Sequence, residues 1–176
     1  GMVVMLGVIA PRKDQDFYAD EDIQAAIENT ARFLRAKQLR NLFVNLCDEF
    51  NHPLSADKLL IREPDGAAKK QRLTGWFKAL APDIEVGIGP HWKSGTADTY
   101  PGMDVRIIQK GMAIPDSGFV VNIEPIREDY FNNDGIFNAT NVEAIFASCR
   151  RYLDAPHAVF MFHAGFVQGI TNYSGT

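Results

Sequence analysis

Cysteines, long apolar segments and runs of like charge are scarce in this sequence. Its 176 residues contain two cysteines, too few for a disulfide framework, and we expect Cys47 and Cys149 to be small buried thiols. No apolar stretch approaches the roughly 20 residues of a membrane helix, and the N-terminus lacks the charged and then apolar pattern of a signal peptide. The 18 basic and 22 acidic residues form no basic stripe, which argues against nucleic acid and membranes as partners.

Motifs that bind cofactors or catalytic metals are also missing. No predicted strand is followed by a G-x-G-x-x-G or P-loop pattern, and the "GIGP" of 87–90 leads into a proline-bounded loop. The spacings H-x-H and H-E-x-x-H, which place two imidazoles on one metal ion, do not occur. We therefore predict neither a cofactor nor a metal.

Short apolar segments recur along the chain and predict β-strands. Each has four to eight residues and is rich in Val, Ile and Phe, which is typical of a parallel strand buried on both faces. With 46% hydrophobic residues, the chain is suited to a single globular domain over 1–176. The predicted strands are 3–9, 42–47, 84–89, 105–108, 119–123 and 158–162.

Apolar residues at helical spacing predict helices between these strands. The first begins with Asp20 as its N-cap, the second ends before Pro82, and the third ends before Pro156. Segments 90–102 and 109–118 are too short or too polar for a covering helix, so we interpret both as loops. The alternation of strands and helices predicts a parallel sheet with right-handed βαβ crossovers and the helices outside.

Two of the predicted strands end in a glutamate, and side-chain alternation places both on the inner face of the sheet. Glu49 shares a face with Asn45, and Glu124 shares a face with Asn122. Ligands of βα folds bind where strands end, and His163 follows the last strand. The residues predicted to face the helices are Leu42, Val44, Leu46, Phe119, Val121 and Ile123.

A lone strand-end glutamate often caps a helix or pairs with an arginine. Two at equivalent inner positions, near the polar "DEFNH" of 48–52, favour catalysis instead. Glycosidic cleavage needs two carboxyl groups at a fixed separation, because one protonates the leaving oxygen while the other attacks or activates water.

The segment "RNLFVNLCDEF", ending at Phe50, resembles the fourth strand of bacterial glycoside hydrolases of clan A, the retaining (β/α)8-barrel group. The preceding "GMVV" strand and helix resemble that family's third strand and helix. The resemblance implies that Glu49 is the acid/base, kept protonated by burial and by Glu124. Asp48 stands where the family has an asparagine that contacts the sugar 2-hydroxyl. Glu124 of "VVNIEP" falls at the family's nucleophile, and Glu128 competes for that role.

This resemblance implies a TIM-type (β/α) barrel or partial barrel with parallel strands. Only six strands are visible, so two βα units of the family have no counterpart, and we expect a homo-oligomer that covers the open edges. The implied function is retaining cleavage of a β-glycosidic bond in a carbohydrate substrate, with weak or no activity from this chain. The residues expected to bind that substrate are Asp48, His52, His91, Trp92, Asn122 and His163.

Two other functions remain open at this point. One is a metal-dependent barrel hydrolase or isomerase, since carboxylate and imidazole side chains collect near the strand ends and suit a divalent ion. The other is a non-catalytic carbohydrate-binding remnant, favoured by the absent units and by Asp48. The residues that would serve the metal-dependent alternative are Asp48, Glu49, His52, His91, Glu124 and His163.

Overall fold

Strands and helices alternate along the chain, as predicted. The computed structural model describes residues 3–9, 17, 19–50, 52, 66–91, 103–109, 111–124 and 139–161. Within them the elements are β1 Val4–Ile9, α1 Asp20–Ala36, β2 Leu42–Cys47, α2 Gly66–Leu80, β3 Val86–Gly87, β4 Val105–Gln109, β5 Phe119–Glu124, α3 Ala139–Leu153 and β6 Ala158–Phe160. Each predicted strand and helix is therefore confirmed, although β3 is much shorter than the predicted 84–89.

The described strands form two parallel three-stranded sheets, in the orders β1-β2-β3 and β4-β5-β6. Every strand pair is parallel and joins strands adjacent in sequence, so the predicted parallel α/β class is confirmed. The strands of the described ranges do not close into a barrel. No helix in these ranges is long and apolar enough to cross a membrane.

The N-cap of helix α1 lies one residue earlier than predicted. Ala19, not Asp20, is the N-cap, and its backbone N–H donates to the carboxylate of Asp22 at 3.0 Å. The prediction was wrong because Asp22, three residues after the cap, satisfies the free end of the backbone from inside the helix. Acidic residues in the first turn also favour the positive end of the helix dipole.

The main core lies between the first sheet and helices α1 and α2. Val44 and Leu46 of β2 are completely buried in it, which confirms the predicted helix-facing side of that strand. The helices present matching apolar stripes because their buried residues recur every three or four positions. The stripe residues of α1 are Ile23, Ile27, Ala31 and Leu34, as predicted, and those of α2 include Leu73 and Phe77.

A second cluster lies on the opposite side of the strands and joins the two sheets. Phe43 of β2 packs there with Val121 and Ile123 of β5, whereas Val120 packs with Tyr152 of α3. The prediction that Val121 and Ile123 face the helices is therefore wrong. The prediction failed because the more polar face of β5 was expected to face inward, whereas it packs against α3, where the Tyr152 hydroxyl accepts a hydrogen bond from the Asn122 amide.

The two sheets meet where β3 runs beside the start of β4. The carboxylate of Asp104 accepts the Val86 N–H at 3.0 Å and pairs with Lys78 of α2 at 2.6 Å. Gly87 allows the close approach, because a Cβ at this position would lie 2.6 Å from the carbonyl oxygen of Val105. A backbone contact this close leaves no room for a side chain at position 87.

The remaining predictions have mixed outcomes. Residues 90–91 and 111–118 form neither helix nor strand, as predicted, but Gln109, predicted to begin the second loop, is the last residue of β4. Residues 92–102 and 110 lie outside the described residues. Cys47 is buried as expected, but Cys149 is partly exposed on α3, and neither forms a disulfide. The prediction that the thiol is buried is therefore confirmed for Cys47 and wrong for Cys149.

Gly87→Ala should lower the free energy of unfolding by about 1–3 kcal/mol, because the new methyl group would meet backbone that cannot rotate away. Gly75→Ala is the matched control, since a Cβ at this exposed position of α2 has nothing within 4 Å. That control should raise stability by about 0.5–1 kcal/mol through helix propensity. Urea unfolding checks both, and a Gly87→Ala variant as stable as wild type would contradict the proposed contact between β3 and β4.

Candidate functional site

The turn that follows β2 is fixed to its two neighbouring strands. The backbone N–H of Asp48 donates to the carbonyl oxygen of Ile9 at 3.0 Å, at the end of β1. The N–H of Phe50 donates to the carbonyl oxygen of Gly89 at 3.1 Å, just beyond β3. Glu49 lies between these two anchors. A site on this turn is therefore held by the sheet.

Helix α2 also secures this turn, through a lysine that no sequence pattern singled out. Lys70 is completely buried, and its Nζ lies 3.5 Å from the centre of the Phe50 ring. A desolvated ammonium over an aromatic face is stabilised by roughly 2 kcal/mol. The contact ties the helical layer to the residue directly after Glu49.

Glu49 has an unusual backbone conformation. Its φ is +46°, in the left-handed region, and the residue is only 8% exposed. Gln38 has a similar φ of +53°, but it follows α1, where a left-handed residue commonly ends a helix. Glu49 has no such role. Left-handed backbone at a non-glycine residue costs on the order of 1–3 kcal/mol and is frequent where side chains are positioned for function.

Asn45 connects Gly89 to the carboxyl group of Asp48. The Gly89 N–H donates to Asn45 Oδ1 at 3.0 Å, and Asn45 Nδ2 donates to Asp48 Oδ1 at 3.1 Å. The first bond fixes which end of the amide faces Asp48. Gly89 is required here, because a Cβ at that position would lie 2.6 Å from Asp48 Oδ1. We call Asn45, Asp48 and Gly89 the strand-end network.

Asp48 carries the perturbed carboxyl group of this region. Burial raises the pKa of Asp48 to about 6, with the negative charge of Glu49 adding to the rise. Hydrogen bonds from Asn45 and from the Glu49 backbone oppose the rise because they stabilise the charged form. The sequence indicated a substrate-binding role for Asp48 and did not predict this raised pKa.

Two histidines lie next to each other at the same end of the sheet. The rings of His52 and His91 meet edge to face with their centroids 4.6 Å apart. His91 is buried and His52 is half-buried. Four of the predicted site residues, Asp48, Glu49, His52 and His91, therefore occupy the ends of β2 and β3. Among the described residues, no three His, Cys, Asp or Glu side chains are grouped so that they could hold a metal ion.

The predicted residues of β5 have different surroundings. Asn122 donates its amide to the hydroxyl of Tyr152 at 2.6 Å, which places it on the α3 side and not on the predicted inner face. Its Oδ1 accepts the N–H of Glu124 at 3.0 Å. The prediction failed for the same reason as that for Val121. Burial raises the pKa of Tyr152, and the bond from Asn122 partly offsets this.

Glu124 is half-buried and is the last residue of β5. It is in register with Gln109 of β4, after an irregularity between Ile108 and Gln109. Glu124 thus lies at the C-terminal end of its strand, whereas Glu49 lies two residues beyond β2. Trp92, Glu128 and His163 lie outside the described residues, so their assigned roles stay predictions.

Gln109 is a polar residue at this end of the sheet that sequence analysis did not select. It ends the apolar strand "VRIIQ" and is almost completely buried. Glu49 and Glu124 were selected as polar residues at the ends of apolar strands, and the same rule would have selected Gln109.

Comparison of the chain with protein-family models, with curated proteins and with solved structures found no match.

The raised pKa of Asp48 predicts a pH-dependent loss of stability. The unfolded carboxyl titrates near pH 3.9, so between about pH 4 and 6 the folded state holds a proton that the unfolded state has released. The stabilisation of the folded state by this proton is therefore fully present below about pH 4 and is lost as the pH rises through about 6. Between pH 3.5 and 8, the free energy of unfolding of Asp48→Asn should therefore rise relative to that of wild type by up to about 3 kcal/mol.

Urea unfolding of both proteins across this pH range is the measurement. Glu143→Gln removes one negative charge from the exposed surface of α3 and controls for net charge. A stability difference between Asp48→Asn and wild type that stays constant with pH would show that Asp48 titrates normally.

Proposed function

We propose that this protein is a glycoside hydrolase that cleaves a β-glycosidic bond with retention, using Glu49 as acid/base and Glu124 as nucleophile. The observation that carries the proposal is the buried Glu49, held in a left-handed conformation at the end of β2 by bonds to both neighbouring strands. The resemblance of "RNLFVNLCDEF" to clan A glycoside hydrolases gives that residue its role.

The packing of the two sheets supports a pairing of the two glutamates. The rings of Phe43 on β2 and Phe119 on β5 meet edge to face with their centroids 6.2 Å apart. These strands therefore share one inner cluster. The strands within each sheet are parallel, and Gly87 and Gly89 approach Val105 and Ile107 in that order, so β4 runs in the same direction as β3. Glu49, just after β2, and Glu124, at the end of β5, therefore belong to strand ends that point in similar directions. We propose that the two sheets form part of a TIM-type barrel.

The proposed reaction has two steps. In the first, Glu49 protonates the leaving oxygen while Glu124 attacks the anomeric carbon and forms a glycosyl ester. In the second, Glu49 removes a proton from water, which cleaves the ester and restores the carboxylate of Glu124. This mechanism requires carboxyl groups roughly 5–5.5 Å apart, against about 6.5–9.5 Å for inversion.

Asp48 fits this reaction better than its formal charge suggests. The clan A asparagine that it replaces donates a hydrogen bond to the sugar, which an ionised carboxylate cannot do. With a pKa of about 6, Asp48 carries a proton in much of the population below neutral pH and can then donate. We therefore expect slow hydrolysis that is favoured by mildly acidic conditions.

Glu49→Gln and Glu124→Gln should each lower kcat/KM for aryl β-glycosides by about 10²–10⁴-fold, because each removes a group that moves a proton or forms the intermediate. Glu85→Gln, at an exposed position before β3, is the matched control and should keep wild-type activity. The anomer released first, followed by NMR, should be the β form. Undiminished activity in both site variants would show that other residues carry out the reaction.

We also propose that a second copy of the chain covers the outer edges of the sheets. Val4 on β1 is 45% exposed and Val159 on β6 is 46% exposed, and apolar open edges favour association. Light scattering at micromolar concentration should give a dimer or a larger assembly, and a monomer would contradict this proposal.

A further inference from the structure

Gln109 has a buried oxygen without a hydrogen bond. The residue is 1% exposed, and its Oε1 is the buried side-chain polar atom that lacks a partner within the described part of the chain. The nearby buried amides differ, since Asn45 and Asn122 each use both their oxygen and their nitrogen. Burying an acceptor without a donor costs free energy, so such an atom in a folded protein calls for a functional explanation.

Gln109 is the last residue of β4 and is in register with Glu124, the last residue of β5, after the irregularity that follows Ile108. Val105 and Ile107, earlier in the same strand, belong to the inner cluster. Ile107 also approaches the strand-end network, because its Cγ2 lies 3.5 Å from the position of a Cβ on Gly89. Gln109 lies two residues further along, or roughly 6.5 Å nearer the strand end. It therefore lies at the level of Glu124, at the C-terminal end of the strands.

The backbone of Gln109 is held by a tight turn. Its N–H points at Met112 Sδ, 3.3 Å away, and its carbonyl oxygen accepts the Met112 N–H at 3.1 Å. Gly111, with φ +77°, supplies the left-handed residue of this turn. The side chain is therefore presented from a fixed position, as a binding group requires.

We propose that Gln109 Oε1 accepts a hydrogen bond from a hydroxyl group of a neutral polyol ligand, a sugar, bound at the strand ends. The inference rests on the proposed function and adds to it a residue that recognises the substrate. An amide oxygen requires a donor, and hydroxyl groups are the donors that a sugar has in abundance. An anionic ligand is disfavoured because Asp48 and Glu49 lie at the same end of the sheet.

The test compares Gln109→Leu with wild type in two measurements. The first is calorimetry of the binding of methyl β-glycosides of glucose, mannose, galactose and xylose. Gln109→Leu should bind the glycoside that wild type prefers with an affinity at least about tenfold lower. In thermal unfolding without ligand, Gln109→Leu should melt at the wild-type temperature or above it, because an apolar group replaces an unpaired acceptor.

Thr74→Val is the matched control. Thr74 is also a buried polar residue, but its hydroxyl donates to the carbonyl oxygen of Lys70 at 3.0 Å within α2. It should bind the glycosides as wild type does. It should also melt at or below the wild-type temperature, because a hydrogen bond is lost.

Three results would overturn the inference: no binding of any of these glycosides to wild type, equal binding to Gln109→Leu, or a clear drop in the melting temperature of Gln109→Leu. Its failure is separable from that of the proposed function. Turnover that needs Glu49 and Glu124 but ignores Gln109 leaves the glycosidase proposal in place. Binding that depends on Gln109 without any turnover would support the sugar site and remove the catalytic assignment.

Discussion

The hydrogen bonds that run from the backbone of Gly89 through Asn45 to Asp48 hold the candidate site together. They join the ends of β2 and β3 through side chains, beside the backbone bonds from the Gly89 N–H to the Cys47 carbonyl oxygen and from the Phe50 N–H to the Gly89 carbonyl oxygen. Because Asn45 is buried inside β2, its amide cannot satisfy itself with water and must keep both partners. The Asp48 carboxyl is fixed as a result, and Glu49 follows it on a turn anchored at Ile9 and Gly89.

The shortness of β3 follows from the same constraint. Gly89 must lack a side chain to admit Asp48, and Gly87 must lack one to admit β4. Two glycines in four residues weaken strand pairing, yet they let the second sheet approach the first and share its inner cluster. The fold thus accepts a weak strand where both the site and the junction of the sheets need close backbone contact.

Apolar runs and helical spacing were sufficient to predict the elements and their parallel arrangement, because burial on both faces and amphipathic stripes leave strong patterns in sequence. Asn122 shows where that reasoning fails. The more polar face of β5, which carries Asn122, was expected to face inward, and the sequence did not reveal that Tyr152 of α3 offers this amide a partner on the helix side. The raised pKa of Asp48 and the unpaired oxygen of Gln109 depend on burial and on partners distant in sequence. Local sequence patterns therefore indicate neither property.

Covalent trapping tests the glycosidase proposal most directly. Wild type and Glu124→Gln would be incubated with 2-deoxy-2-fluoro aryl β-glycosides, which slow breakdown of a glycosyl ester, and their peptides analysed by mass spectrometry. The account predicts one fluoroglycosyl group on the wild-type peptide that contains Glu124 and none on the variant. A label on Asp48 or Glu128, or turnover of ordinary glycosides without any label, would contradict it.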